Sequence, residues 1–90
     1  MIVVPNDKFI EHLKKIKDTS IIERAEKAVE KLKEANSLRE VTNIEYIKGH
    51  TNFYRLRFGD YRIGFYYIEE EQKVELYAIG YRSKIYDIFP

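Results

Sequence analysis

The stretch Tyr54-Arg55-Leu56-Arg57-Phe58-Gly59-Asp60-Tyr61-Arg62 leaves little freedom in how this chain folds. Apolar and basic residues alternate with period two, the side-chain period of a strand. Gly59-Asp60 is a two-residue loop with glycine first, as a type II′ turn requires. A turn that tight sets Phe58 opposite Tyr61, Arg57 opposite Arg62, Leu56 opposite Ile63 and Arg55 opposite Gly64. Two arginines facing each other repel at a cost of ~0.2–1 kcal/mol. An anion held between them would remove the conflict.

The remaining pattern supplies what such a hairpin packs against. Ile2-Val3-Val4 reads as a short strand closed by Pro5. Asn6 or Asp7 caps a first helix with Phe9, Leu13 and Ile16 at helical spacing. Asp18-Thr19 breaks that helix, and Ser20-Ile21-Ile22-Glu23 matches a capping box. Ile22, Ala25, Val29 and Leu32 then form the apolar stripe of a second helix, ended by Asn36 and Ser37. Residues 38–52 read as irregular, with a turn at Gly49.

Beyond the hairpin turn, Tyr61, Ile63, Phe65 and Tyr67 share one face. After the polar loop Glu69-Glu70-Glu71-Gln72, the residues Val74, Leu76 and Ala78 alternate onto the same face. The loop length pairs Phe65 with Leu76 and Ile63 with Ala78. Three strands with a common apolar face need a cover, and the helical hairpin provides it. The expected architecture is α+β in the order β-α-α-β-β-β, one domain spanning residues 1–90, with a mainly antiparallel sheet. Its opposite face collects Arg55, Arg57, Arg62, Gly64, Tyr66, Glu75, Tyr77 and Ile79, and Tyr81 if the alternation continues. Arginines interleaved with tyrosines suit a single-stranded nucleic acid, because guanidinium groups grip phosphates and rings stack on bases.

Composition narrows the classes further. Net charge is +1, so overall basicity does not point to nucleic acid. The charge is nevertheless uneven: Lys48, Arg55, Arg57 and Arg62 face only Asp60 between Tyr46 and Tyr67. The chain has no cysteine, hence no disulfide or thiolate metal site. Two isolated histidines make no metal site. His12 reads as a boundary residue, and His50 as a loop residue able to contact phosphate or act as an acid. No apolar run reaches the ~20 residues needed to span a bilayer. The N-terminus lacks the basic start and apolar core of a signal peptide, so the expected location is the cytoplasm.

The tail reads Gly80-Tyr81-Arg82-Ser83-Lys84-Ile85-Tyr86-Asp87-Ile88-Phe89-Pro90. Following a Tyr-Arg-Leu-Arg strand and a Tyr-Arg-Ile strand, it resembles the RelE/ParE superfamily of toxins from type II toxin-antitoxin systems. The Tyr-Arg-x-Arg…Tyr-Arg…Arg-Ser-x-x-Tyr series is more similar to the RelE-like ribonuclease branch than to the gyrase-directed ParE branch. The resemblance implies a RelE-like fold with a short C-terminal helix, and cleavage of mRNA in the ribosomal A site without a metal or other cofactor. It implies an antitoxin protein, the ribosome and mRNA as partners, and no membrane or small-molecule partner.

Carried over by residue, the resemblance makes Arg62, Arg82 and Tyr86 catalytic. Arg55, Arg57 and Tyr81 would bind RNA phosphate. Tyr86 would be the base or the group orienting the 2′-hydroxyl; a phenol normally titrates near pH ~10, so as base it needs guanidinium groups close by. Tyr81 stands where relatives commonly carry histidine or another basic residue. Since arginine gives up no proton, the proton donor stays unassigned among these residues. The resemblance also admits a gyrase inhibitor and a degenerate toxin that keeps only antitoxin binding.

Overall fold

β-Branched residues and a proline make the first segment extended. In the computed structural model, which describes residues 1–90, strand β1 (Ile2–Pro5) leads into helix α1 (Asp7–Lys15) and helix α2 (Thr19–Glu34). Asn6 caps α1, its Oδ1 accepting from the Phe9 amide at 2.9 Å. Asp18, not Ser20, caps α2. Its Oδ1 accepts from the Ser20 amide at 2.9 Å and from the Ser20 hydroxyl at 2.7 Å. The expected capping box fails because the serine hydroxyl donates to a better acceptor two residues upstream. At the other end of α2, the α-ammonium group of Met1 donates to the carbonyls of Lys33 at 2.8 Å and Ala35 at 2.6 Å. A cation there meets the negative end of the helix dipole.

The sheet continues with β2 (Ile44–Tyr46), β3 (Phe53–Phe58), β4 (Tyr61–Ile68) and β5 (Lys73–Tyr81), and a short helix α3 (Ile85–Ile88) ends the chain. Strand order is β1-β5-β4-β3-β2, with β1 parallel to β5 and every other pairing antiparallel. The β3–β4 register is the one the turn demands: Phe58 faces Tyr61, Arg57 faces Arg62, Leu56 faces Ile63 and Arg55 faces Gly64. Gly59 has φ +58°, the conformation that the first position of a type II′ turn requires. Strand β2 lies inside the segment expected to be irregular. At three residues it is too short to show a period.

The β4–β5 pairing departs from the expected alternation. Phe65 does face Leu76, but a bulge follows, so that Gly64 faces Ala78 and Ile63 faces Ile79. Tyr77 is the extra residue, and it shares a face with Ala78. Ile79 therefore enters the core with the helices, and Ala78 joins the opposite face. The same slip turns Tyr81 away from the arginines: it faces Tyr61, with ring centroids 5.6 Å apart, and Gly80 takes the place opposite Arg62.

Phe65, Leu32, Ile63, Leu76 and Val74 are fully buried between helices and sheet. The far face is not simply solvated. Ile85 and Phe89, from the C-terminal turn, bury themselves there with Ile47 and Ala78, flanked by Phe53 and Tyr77. Each such side chain contributes about 1.5–3 kcal/mol when removed from water. Gly64 permits this cover, since a β-carbon at that position would collide with the Phe89 ring.

Candidate functional site

With the middle of the far face covered, its arginines gather at the end nearer the hairpin turn. Register places Glu45 of β2 opposite Arg55 of β3, and Arg55 opposite Gly64 of β4. One carboxylate oxygen of Glu45 accepts from Arg62 Nε at 3.2 Å and lies 3.6 Å from Arg55 Nε. Both guanidinium side chains are largely buried, only 13% exposed for Arg55 and 12% for Arg62. Arg62 Nη1 also donates to the carbonyls of Tyr61 at 3.0 Å and Gly59 at 3.2 Å. Arg55 Nε, by contrast, is buried with no hydrogen-bond partner.

The facing arginines thus part company. Arg62 reaches to Glu45, while exposed Arg57 donates to Asn43 Oδ1 at 3.2 Å. The anion that the sequence requires comes in part from the protein itself. Glu45 escaped sequence reading because β2 is so short. The pattern Ile44-Glu45-Tyr46, set beside an arginine pair in want of a carboxylate, was the signal available. Two largely buried cations sharing one carboxylate leave a positive charge uncompensated, and a further anion would balance it.

Tyr86 completes the cluster. Its ring lies over the Arg55 guanidinium, 4.6 Å from carbon to centroid, and the residue is 61% exposed. Such a contact orients the cation while leaving the phenol edge in solvent. Arg82 follows β5, where its amide donates to the Asp60 carbonyl at 2.7 Å. This bond ties the tail to the hairpin turn, two residues from Arg62. The Arg82 side chain is exposed.

The structure therefore brings Arg55 and Arg62 together at Glu45 with Tyr86 over Arg55, turns Arg57 to Asn43, ties the Arg82 backbone to the hairpin turn, and leaves Tyr81 on the other face. The tyrosines expected to be free for stacking are largely occupied. Phe53 packs on Tyr66 at 4.9 Å and on Tyr77 at 5.9 Å, and Phe89 lies 6.1 Å from Tyr77. Burial, and then Glu75 beside it, push the Tyr77 phenol above its ordinary range. His50 sits edge-on to Phe53, at the end of β3 away from the hairpin turn. His12 is half-buried, and its imidazole is held below the usual range by burial and then by Lys15. No group of three or more His, Asp and Glu side chains is placed to hold a metal ion.

A groove opens between β1, the two helices and β5. Val3, Phe9, Leu13, Ala25, Val29 and Leu76 line an apolar groove of about 390 Å³ beside α1 and α2. No helix is long and apolar enough to cross a membrane.

Comparison with known proteins agrees with this architecture. Residues 3–86 match the family model described as the ParE toxin of the type II toxin-antitoxin system parDE. The chain is 36% identical over 84 residues to toxin RelE3 of Methanocaldococcus jannaschii, a match covering 91% of each protein. A chain in the RelB-RelE antitoxin-toxin complex from Methanococcus jannaschii superposes with a TM-score of 0.77 at 31% identity, over 97% of this chain and 99% of that one. The isolated E. coli RelE toxin shares the fold, with a TM-score of 0.63 at 19% identity, over 96% of this chain and 90% of that one. On these matches, the chain belongs to the ParE/RelE family of type II toxin-antitoxin toxins.

Proposed function

We propose that this chain cleaves mRNA on the ribosome, in the cytoplasm, and that its own antitoxin holds it inactive. The observation that carries the reading is the pair of largely buried guanidinium groups, Arg55 and Arg62, sharing Glu45 beneath an exposed Tyr86. In RNA cleavage the 2′-oxygen attacks the neighbouring phosphorus and gives up its proton. The O2′–P bond forms, the P–O5′ bond breaks, and O5′ takes up a proton. The products are a 2′,3′-cyclic phosphate and a 5′-hydroxyl.

Each step has a group in this cluster suited to it. The uncompensated positive charge of Arg55 and Arg62 stabilises the added negative charge on phosphorus, commonly the largest contribution in such sites. Exposed Arg57 and Arg82 grip neighbouring phosphates. Glu45 is the one carboxylate in the cluster, and in its ionised form it accepts the 2′-hydroxyl proton. Tyr86, held by Arg55, then orients the substrate and donates to O5′, a role that none of the arginines can fill.

On translating ribosomes, Arg62→Ala and Tyr86→Phe should each slow mRNA cleavage by about 10²–10⁴-fold. Intact mRNA with the wild-type protein, once ribosome binding is confirmed, would overturn the reading. The match to the ParE model favours a second one, inhibition of DNA gyrase, which predicts blocked supercoiling and indifference to Tyr86→Phe. The apolar groove beside α1 and α2 suits the apolar face of an amphipathic antitoxin helix. Coexpression with its cognate antitoxin should relieve growth arrest, and Val29→Asp in the groove should prevent that relief.

A further inference from the structure

The nuclease reading leaves unused a strongly charged groove on the far side of Arg57. α2 and the β3–β4 turn enclose a space of about 600 Å³ lined by Arg24, Lys27, Lys31, Arg57, Thr42 and Asn43, with Asp60 as its one acidic residue. The charged residues that α2 contributes to this groove are all basic. Arg24, Lys27 and Lys31 share one side at helical spacing, whereas Glu26 and Glu30, with Lys33, line the apolar groove on the other. None of the three cations takes part in an ion pair, since the chain's ion pairs join only Arg55, Arg62 and Lys73 to Glu45 and Glu75. Lys27 and Lys31, four residues apart, repel each other mildly, and an anion between them would relieve that repulsion. Arg24 is further fixed over the Phe58 ring at 5.9 Å and against Gly59, where a β-carbon would collide with its guanidinium group.

We propose that this groove is a second phosphate-binding site, which grips single-stranded RNA a few nucleotides from the cleavage point. Arg24 and Lys31 are about 10 Å apart along the helix, enough to follow a phosphodiester backbone rather than a single ion. The groove is polar and offers few apolar anchors, which a docked peptide helix would need. A nucleic-acid strand needs only cations and hydrogen-bond donors along its path. Arg57 lies on the strand that carries Arg55 and also lines this groove, so one strand of RNA can run past both sites. The choice of RNA over other polyanions rests on the nuclease reading.

The test separates the two. Fluorescence anisotropy with a labelled 20-nucleotide oligouridine, titrated at several salt concentrations, reads binding without cleavage. Lys27→Ala/Lys31→Ala should weaken affinity at least about tenfold and flatten the salt slope by about 1.4, since each single-strand phosphate contact contributes about 0.7. Lys14→Ala/Lys15→Ala on α1 should change both far less. Equal losses in the two variants, or an unchanged slope in the first, would overturn the site. So would a 20-residue polyglutamate that binds more tightly than the RNA and loses affinity in the α2 variant. A wild-type protein that leaves ribosomal mRNA intact yet shows the α2-dependent binding would remove the nuclease reading and still support the groove.

Discussion

Glu45 on edge strand β2 and Arg62 on β4 are joined across β3 by a 3.2 Å ion pair, and the same carboxylate oxygen lies 3.6 Å from Arg55. Register alone would have set Arg62 against Arg57. Replacing Glu45 by Gln should leave two like charges close together and mostly buried. The expected loss of stability is about 1–3 kcal/mol, the cost of leaving buried polar groups unsatisfied. Urea unfolding would measure it. Inorganic phosphate should restore more stability to Glu45→Gln than to the wild type, because it fills the vacated anion position.

Gly64→Ala should loosen the C-terminal turn. The added methyl group meets the Phe89 ring, so the turn has to lift or the sheet has to shift. Losing the burial of Phe89 alone costs about 1.5–3 kcal/mol. The double variant Gly64→Ala/Phe89→Ala should be scarcely less stable than Phe89→Ala alone, because both changes act on one contact. Thermal melts of the three variants would test this.

The cap on α2 makes stability depend on pH in a stated direction. Hydrogen bonds from the Ser20 side chain and backbone hold the Asp18 carboxyl below its ordinary range. A folded-state pKa below the unfolded one means that the ionised cap stabilises the protein above the unfolded value, near 3.8. That contribution fades as pH falls through the lower folded value. The stability difference between wild type and Asp18→Ala should therefore be constant between pH 5 and pH 7 and shrink below about pH 4. A constant difference down to pH 2 would contradict it.

Acetylating the amino group of Met1 should also destabilise the fold. The ammonium group donates to carbonyls at the end of α2, and acetylation removes its charge. A loss of about 1–2 kcal/mol is expected from the helix-end interaction and the hydrogen bonds together. In a chain of this size each kcal/mol lowers Tm by about 4–8 °C, which calorimetry resolves.

Much of the architecture was legible because several local signals agreed. The Gly59-Asp60 turn and the alternation around it fix one register, and a slip by one residue would expose Leu56 and bury Arg55. Helix spacing located α1 and α2 within a few residues. The α2 cap was misplaced where Asp18 and Ser20 compete and only geometry decides which one accepts. Strand β2, and Glu45 with it, was lost because three residues carry no period. The second half of β5 was misread because a bulge leaves no mark in composition: Tyr77-Ala78-Ile79 is as compatible with alternation as without it. Gly64 was seen as the neighbour of Arg55, whereas its use is to admit a ring from 25 residues downstream.

The bulge has a consequence for how this fold tolerates changes in length. Tyr77 is the surplus residue on β5, and beyond it Gly80 and Tyr81 are already in step with Arg62 and Tyr61. Deleting Tyr77 would straighten the strand and leave Arg82 and Tyr86 on the side of the sheet they now occupy. The loss would be an aromatic ring packed beside Phe53 and Phe89, a matter of padding beneath the tail. Deleting a residue from β4 between Gly64 and Tyr67 would instead invert half a strand. Two neighbouring strands thus differ sharply in how they bear the loss of one residue, and only β5 has slack.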